Sequence, residues 1–559
     1  MKRKFTPAAL AALLLAIPAL AFGQAPAAAI PSPKGIKNAI FIVPDGMSAG
    51  AVALARWIKG GAPLAVDPLA SGLVRTYNAD TPIADSAPAA TAFATGYKTN
   101  TPFIGVLPAA AGMPAVPQPK PEDMKRPVAT LLEAARLAGK ATGIVVTCEL
   151  PHATPAAFGA HDPSRKAYDD ILEQMVYNGI DVAFGGGFTY LAPASRKDKE
   201  DLGAALRDMG YLYLQSVYEF ENLSSGKAWG LFAPVAMAYD LDRDAAREPS
   251  LAKMTAKAIE LLSQDKDGFF LVVEGSKIDW AAHANDPVGI VGDVLAWDAA
   301  VKAAVDFASK RKDTVVVSVS DHGNSGITIG DGSTSSNYNA VPLASFIDPL
   351  KKASRTGEGL EALFDAERGN LKEVLADYYG ISDPTDEEAA AIRKAAPGSM
   401  NYVVGPMIAA RAKIGFTTTG HTGEETLLYT YAPSLDARMI GTFENTDIAR
   451  YLEKALGLNL AAATASLFVE AETAYKAKGA EVTVDSSVAA NPMLVVRKGE
   501  ATVLLPRNKN YAILGSKLEI KEGKASWVGG TKAALDGVTV FIADTSRWYV
   551  GKKALDLVK

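Results

Sequence analysis

Cysteine is almost missing from this chain: Cys148 is the only one among 559 residues. An internal disulfide is therefore excluded, and with it the whole class of small cystine-stapled folds. Cys148 ends an apolar run at 141–147 and has no basic neighbour in sequence to lower its pKa. It reads as a buried structural thiol rather than a nucleophile. An excess of positive charge is missing too. Lysine and arginine number 57 against 62 aspartates and glutamates, a formal charge of −5. That argues against nucleic acid as a partner, so any basic site has to be built locally, by metals or single arginines. Beyond the N-terminal segment no stretch reaches the roughly 18 uninterrupted apolar residues of a membrane span. What remains is an ordinary globular balance, 48% hydrophobic and 21% charged, far from a disordered composition.

The first 25 residues have a pattern of their own. Lys2, Arg3 and Lys4 precede an apolar run at 8–22, and small residues follow at 23–25. That is the layout of a signal peptide, and it predicts an exported protein, periplasmic or extracellular, with no transmembrane span after cleavage. An uncleaved membrane anchor is the alternative, disfavoured because the run is short for a span. No cysteine stands at the cleavage site to carry a lipid.

Five short apolar runs, 39–43, 142–146, 269–273, 314–319 and 427–431, have the length of buried strands in a parallel sheet. Helical patterns separate them at 128–138, 250–262 and 294–308. The expected fold class is α/β, a central, mostly parallel sheet with helices on both faces. A polar, helix-rich insertion is expected at 347–418, with a turn-prone stretch at 382–385. From 481 to 559 the pattern changes to short alternating strands with Gly-rich turns, read as a small accessory β module. The Ala- and Pro-rich segment 109–121 reads as an exposed loop.

In such folds ligands bind outside the carboxyl ends of the strands, and those ends are unusually polar here. Asp45 follows the first run, Glu274 the third, and Asp321 with His322 the fourth. Asp279 and His283, four apart, project to one side of a helical turn. His421 precedes the last run in a Gly-His-Thr-Gly loop. Histidine and aspartate donors without cysteine suit Zn²⁺ or a similar divalent ion at an open, catalytic site. A single histidine reads as an ordinary core residue; three of them with four acids on one rim do not. Ser86 lies in Asp-Ser-Ala-Pro at the start of an Ala-rich segment ending at Gly96. That suits a helix with Pro88 in its first turn, so Ser86 sits where free N–H groups and the dipole stabilise an anion. On local sequence alone, a plain N-cap at Asp85 or Ser86 is the stronger reading, and the rest of the chain reverses it.

Taken in order, these segments resemble the alkaline phosphatase family. Asp45-Gly46-Met47 looks like its first metal motif, and Asp85-Ser86-Ala87 with Thr91-Ala92 like its nucleophile motif. His152-Ala153-Thr154-Pro155-Ala156 and His161 to Arg165 look like its magnesium and phosphate-arginine segment. Glu274 to Asp279 with His283, Asp321-His322-Gly323 and Gly420-His421-Thr422-Gly423 complete a series that covers 38–456. The resemblance implies a phosphomonoesterase acting on small phosphate monoesters through a phosphoserine. It implies one zinc on Asp279, His283 and His421, and a second on Asp45, Asp321 and His322 that also meets Ser86. It implies one magnesium on Asp45, Thr154 and Glu274. Arg165 would grip two phosphate oxygens through its planar fork, with Asp85 orienting it. A homodimer is also implied, unless the insertion at 347–418 or the C-terminal module blocks or replaces that interface.

Two positions depart from the best-studied bacterial pattern, which has aspartate where this chain has His152 and lysine where it has Trp280. Trp280 offers phosphate no cation, which predicts faster product release; His152 is expected either beside the magnesium without touching it or as a ligand that draws a different metal there. His161 is expected to be structural or to support a ligand. A phosphodiesterase, a sulfatase and a non-catalytic metal- or phosphate-binding envelope protein are the rival readings. Arg165, Thr154 and Glu274 favour monoesters, Cys148 lacks a sulfatase setting, and every expected position is filled. For the C-terminal module, contact with the envelope or a polymer and simple cover of the catalytic domain stay equally open.

Overall fold

The computed structural model describes residues 29–521 and 524–559; the expected leader, 1–25, lies outside the described residues. A ten-stranded sheet forms the centre. Its strands in chain order are β1 (Asn38–Pro44), β2 (Ala70–Arg75), β3 (Ala141–Glu149), β4 (Val182–Gly186), β5 (Leu212–Leu214), β6 (Ala228–Leu231), β7 (Phe269–Gly275), β8 (Thr314–Val319), β9 (Thr426–Tyr431) and β10 (Gly441–Glu444). Across the sheet they run β10-β2-β9-β8-β1-β7-β3-β4-β6-β5. β1 lies at the middle between β7 and β8, parallel to both. Side chains alternate across a strand, and β1 shows what that does here. Phe41 and Val43 join one apolar cluster, Ile40 and Ile42 the other. Both faces are thus covered, which explains why the five sequence runs are continuously apolar rather than alternating.

β9 departs from the expected direction. It runs antiparallel to both neighbours, β8 and β2. The reason lies just upstream: His421 and Thr422 pair with Asn324 and Gly323 at the carboxyl end of β8. The chain is already at that rim and enters the sheet directly, whereas a parallel entry needs a crossover of a dozen residues or more. That reversal puts His421, which precedes its strand, on the same rim as residues that follow theirs.

The helices that carry site residues are α1 (Ser86–Thr95), α2 (Ala153–Gly159), α3 (Tyr168–Tyr177) and α4 (Lys277–His283), followed by the long α5 (Pro287–Ala308). α5 begins earlier than its apolar pattern suggests, because Asp286 caps it by accepting from Val288 N and Pro287 fills the first turn. Five helices lie between Ala344 and Arg411; the turn-prone stretch closes on Thr385, which forms a capping box with Glu388. The C-terminal part holds a five-stranded antiparallel sheet that starts at Glu481, and its apolar cluster also takes in Ala471 and Tyr475. No helix among the described residues is long and apolar enough to cross a membrane.

Candidate active site

The carboxyl rim of β1, β7 and β8 builds the site. At the end of β1 the chain turns through Asp45 and Gly46, whose φ of 65° only glycine adopts freely. A Cβ on Gly46 would also stand 2.4 Å from Asp279 Oδ1. Glycine therefore permits the close approach that brings Asp45 and Asp279 together. α4 carries Asp279 and His283 on one side, with His283 Nε2 3.4 Å from Asp279 Oδ2. His421 Nε2 lies 3.6 Å from Asp279 Oδ1, completing a first donor group. Asp45, Asp321 and His322 form a second, fully buried one, with His322 Nε2 3.6 Å from Asp45 and 3.2 Å from Asp321.

The histidine rings are held in one way. Nδ1 of His283, His421 and His322 meets the carbonyl oxygens of Thr419, Ala84 and Gly323 at 2.7, 2.7 and 3.3 Å. A ring N–H that donates to a carbonyl leaves the other nitrogen as a bare acceptor. In its neutral form each ring therefore turns Nε2 to the cleft with a lone pair. Two of these, on His283 and His421, are 3.1 Å apart, an arrangement that calls for a cation between them. The carboxylates say the same. Both oxygens of Asp45, Oδ2 of Asp321 and Oε1 of Glu274 are buried and have no hydrogen-bond partner. Unpaired buried carboxylates are costly, and their acidities show it. Burial, then Asp321 and the other acids, hold Asp45 well above the usual carboxylate range. Burial first, reinforced by neighbouring carboxylates, raises Asp321 to about 6 and Glu274 to about 7. The donor set fits divalent cations.

Ser86 opens α1, with Asp85 as the N-cap residue in extended conformation. Its Oγ lies 3.2 Å from His322 Nε2. Since that nitrogen is the bare one, the hydroxyl donates to it. A serine hydroxyl at a helix N-terminus lies where free N–H groups and the helix dipole favour an anion.

The alkaline phosphatase family profile matches residues 36–458. The chain belongs to the alkaline phosphatase family. It is 36% identical to Alkaline phosphatase 4 of Bacillus subtilis, over 75% of this chain and 89% of that protein. The crystal structure of Thermus thermophilus alkaline phosphatase aligns with a TM-score of 0.67 and 28% identity, covering 77% of this chain and 93% of the other. A variant of the alkaline phosphatase from the Antarctic bacterium TAB5, with one histidine replaced by aspartate and Mg bound in its M3 site, aligns at TM-score 0.55. It is 25% identical and covers 77% of this chain and all of that one. The mostly parallel sheet with flanking helices is therefore that of the family, and the protein is a metal-dependent phosphoric monoester hydrolase. Residues after 458 lie beyond the family match.

Further residues singled out in the sequence lie beside Ser86. Arg165 follows the bridge between Ile104 and Asp162, in the loop that enters α3. One terminal nitrogen donates to Asp85 at 2.6 Å and the other to His152 Nε2 at 3.2 Å. Burial and then Arg165 lower His152 to about 4, so the ring is neutral. Trp280 packs edge-on against His152, ring centroids 5.8 Å apart. Its other neighbour is a cation, the buried Lys277, 4.3 Å over the indole and 3.6 Å from Glu358. Cys148, His152 and Glu274 form a third donor group around a buried carboxylate.

His161 takes no part in any of these groups. Its nitrogens meet Glu133 Oε1 at 3.0 Å and Gly105 O at 2.8 Å, and both side chains of the Glu133 pair are fully buried. Sequence reasoning missed the residues that fix the acids in place. Asn324 Nδ2 donates to Asp279 Oδ1 at 2.7 Å, and Ser320 Oγ accepts from Met47 N at 2.8 Å. Both stand within two residues of His322, yet their partners are some 45 and 273 positions away.

Proposed function

We propose that this alkaline phosphatase is an exported enzyme that transfers the phosphoryl group of small monoesters to Ser86 and then to water. The observation that carries the reading is the Ser86 hydroxyl donating to His322 Nε2 at the N-terminus of α1, with the Arg165–Asp85 pair alongside. Asp279, His283 and His421 would hold one divalent cation and Asp45, Asp321 and His322 a second; nitrogen and carboxylate donors suit both to Zn²⁺. Asp45, Thr154 and Glu274 would hold a third, and these oxygen donors taken alone are those of Mg²⁺. The cations supply positive charge that favours an alkoxide nucleophile and an alkoxide leaving group.

The chain's own residues account for the rest. Arg165 presents its fork to two non-bridging oxygens of the phosphate, held at the right angle by Asp85. The N–H groups of the first turn of α1 face the same oxygens. Ser86 Oγ gives up its proton and attacks phosphorus in line; the P–O bond to the alcohol breaks and the alcohol leaves with a proton. Water then attacks the phosphoserine, the P–Oγ bond breaks, and inorganic phosphate leaves as Ser86 regains its proton. Trp280 places an apolar ring where the phosphate would otherwise meet a cation, which favours early release of product.

The test is hydrolysis of p-nitrophenyl phosphate and of its bis ester by metal-stripped protein, with zinc and magnesium added back. Wild type is expected to recover monoesterase activity, and Ser86→Ala to lose at least a thousandfold while binding the same metals. Preference for the diester would overturn the monoester reading, and undiminished activity in Ser86→Ala would overturn the nucleophile.

A further inference from the structure

The third donor group contains an atom that an oxygen-only site lacks. Cys148 closes β3, is completely buried, and its Sγ lies 3.3 Å from Glu274 Oε2. One donor atom each from Cys148, His152 and Glu274 all lie within 4.8 Å of one another. Two further observations point to a cation there. Glu274 and Thr154 are both 0% exposed, yet Glu274 Oε1 and Thr154 Oγ1 have no hydrogen-bond partner. His152 Nδ1 is also buried and unpartnered, its other nitrogen being the one that Arg165 reaches. A buried thiol against an apolar wall needs nothing from its surroundings. A thiol set among three orphaned polar atoms is a ligand set.

We propose that Cys148 is a ligand of the third cation and that this site takes a thiophilic transition metal, Zn²⁺ or Co²⁺, in place of Mg²⁺. The inference rests on the metallophosphatase reading and deepens it. Sulfur and imidazole favour these ions, whereas magnesium demands hard oxygen donors in octahedral order. On binding, the S–H bond breaks, a sulfur–metal bond forms, and the proton leaves to solvent. No electron is transferred. A metal on His152 Nδ1 obliges Nε2 to carry the ring proton, so the ring stops accepting from Arg165 and frees that guanidinium for phosphate.

The experiment is optical. Because Cys148 is the only cysteine in the chain, any sulfur-to-cobalt charge-transfer absorption must come from it. Full-length protein is stripped with a chelator and titrated with Co²⁺, while bound cobalt is counted by mass spectrometry and p-nitrophenyl phosphate turnover is followed in the same samples. The expected result is a near-ultraviolet charge-transfer band that grows with one equivalent and survives a large excess of Mg²⁺. Cys148→Ala is expected to lose the band and bind one equivalent fewer, and Cys148→Ser to bind Mg²⁺ at that site instead. Wild-type protein that binds cobalt and turns over substrate without the band overturns the proposal. So does a band that Mg²⁺ abolishes. Should the variants fail to fold, the wild-type titration decides alone. Absence of both cobalt binding and turnover would instead remove the metallophosphatase reading beneath it.

Discussion

Arg165 divides its two terminal nitrogens between Asp85 and His152, and that division argues for shape over charge. Lysine at 165 would keep the positive charge but has neither the plane nor the fork to meet two phosphate oxygens while Asp85 holds it. Arg165→Lys is expected to lower kcat/KM for p-nitrophenyl phosphate by roughly a hundredfold, about 2.7 kcal/mol of transition-state stabilisation. Inhibition by inorganic phosphate should weaken in parallel, since the product presents the same oxygens. Steady-state kinetics with phosphate as inhibitor check this; an unchanged kcat/KM would mean that the guanidinium contributes charge alone. His161 shows the opposite residue-scale outcome. Its sequence context is as motif-like as that of His152, but both nitrogens are committed to Glu133 and Gly105. Burial lowers such a ring, yet the Glu133 carboxylate outweighs it and raises His161, while the same contact lowers Glu133. The two form a buried ion pair that fixes the loop ahead of Arg165.

At the scale of elements, the turn after β1 is the place where a single atom decides the geometry. Gly46→Ala puts a Cβ 2.4 Å from Asp279 Oδ1 and 2.9 Å from Asp279 Cα, at a φ of 65°. The left-handed backbone costs an alanine about 1–2 kcal/mol, and relief of the clash requires α4 to move away from β1. The variant is expected to fold with a lowered Tm, to bind less metal at the Asp279–His283–His421 group, and to lose at least tenfold in activity. Metal analysis alongside calorimetry checks it; full metal content with a normal Tm would show that α4 yields at no cost. The same element explains what could be read in advance. β8 is legible to the residue, 314–319, because all six side chains are buried and apolar or small. β2 is not, because Ala-Ser-Gly-Leu-Val-Arg has a largely exposed pattern and finds its place only by pairing with β9 and β10. The residues that the structure groups as Asp279–His283–His421 and Asp45–Asp321–His322 were legible in the motifs, since only metal or acid–base chemistry gathers such residue types. Asn324, Ser320 and the thiol of Cys148 were not. Their roles come from neighbours 45 to 273 positions away, and no local pattern encodes that.

For the whole molecule, the question left by the sequence is how the C-terminal module sits against the catalytic body. It inserts a finger, Arg507-Asn508-Lys509, into an acidic recess on α3. Arg507 meets Asp170 at 2.6 Å, Asn508 donates to Asp170 and Glu173 at 3.0 and 2.9 Å, and Lys509 pairs with both Glu173 and Glu200. Glu173, Asp198 and Glu200 are spaced like a fourth metal group, but the Lys509 ammonium already lies among them. α3 begins three residues after Arg165, so the finger braces the helix that follows the Arg165 loop. Burial raises Glu173 to about 7 even though Lys509 opposes it, and this fixes the sign of the pH effect. A carboxyl whose folded pKa lies above its unfolded value costs stability as pH rises through the folded value, because it must then ionise in place. Lys509→Ala removes the partner of that charge and is expected to destabilise by about 3 kcal/mol at pH 8. At pH 5 Glu173 is protonated with or without Lys509, so much of the loss should disappear. Urea unfolding at the two pH values measures the difference. Equal losses at both would assign the effect to the Glu200 pair, whose carboxyl is lowered with Lys509 beside it, or to packing of the Lys509 stem, whose ammonium lies 4.2 Å over the Tyr177 ring, and not to Glu173.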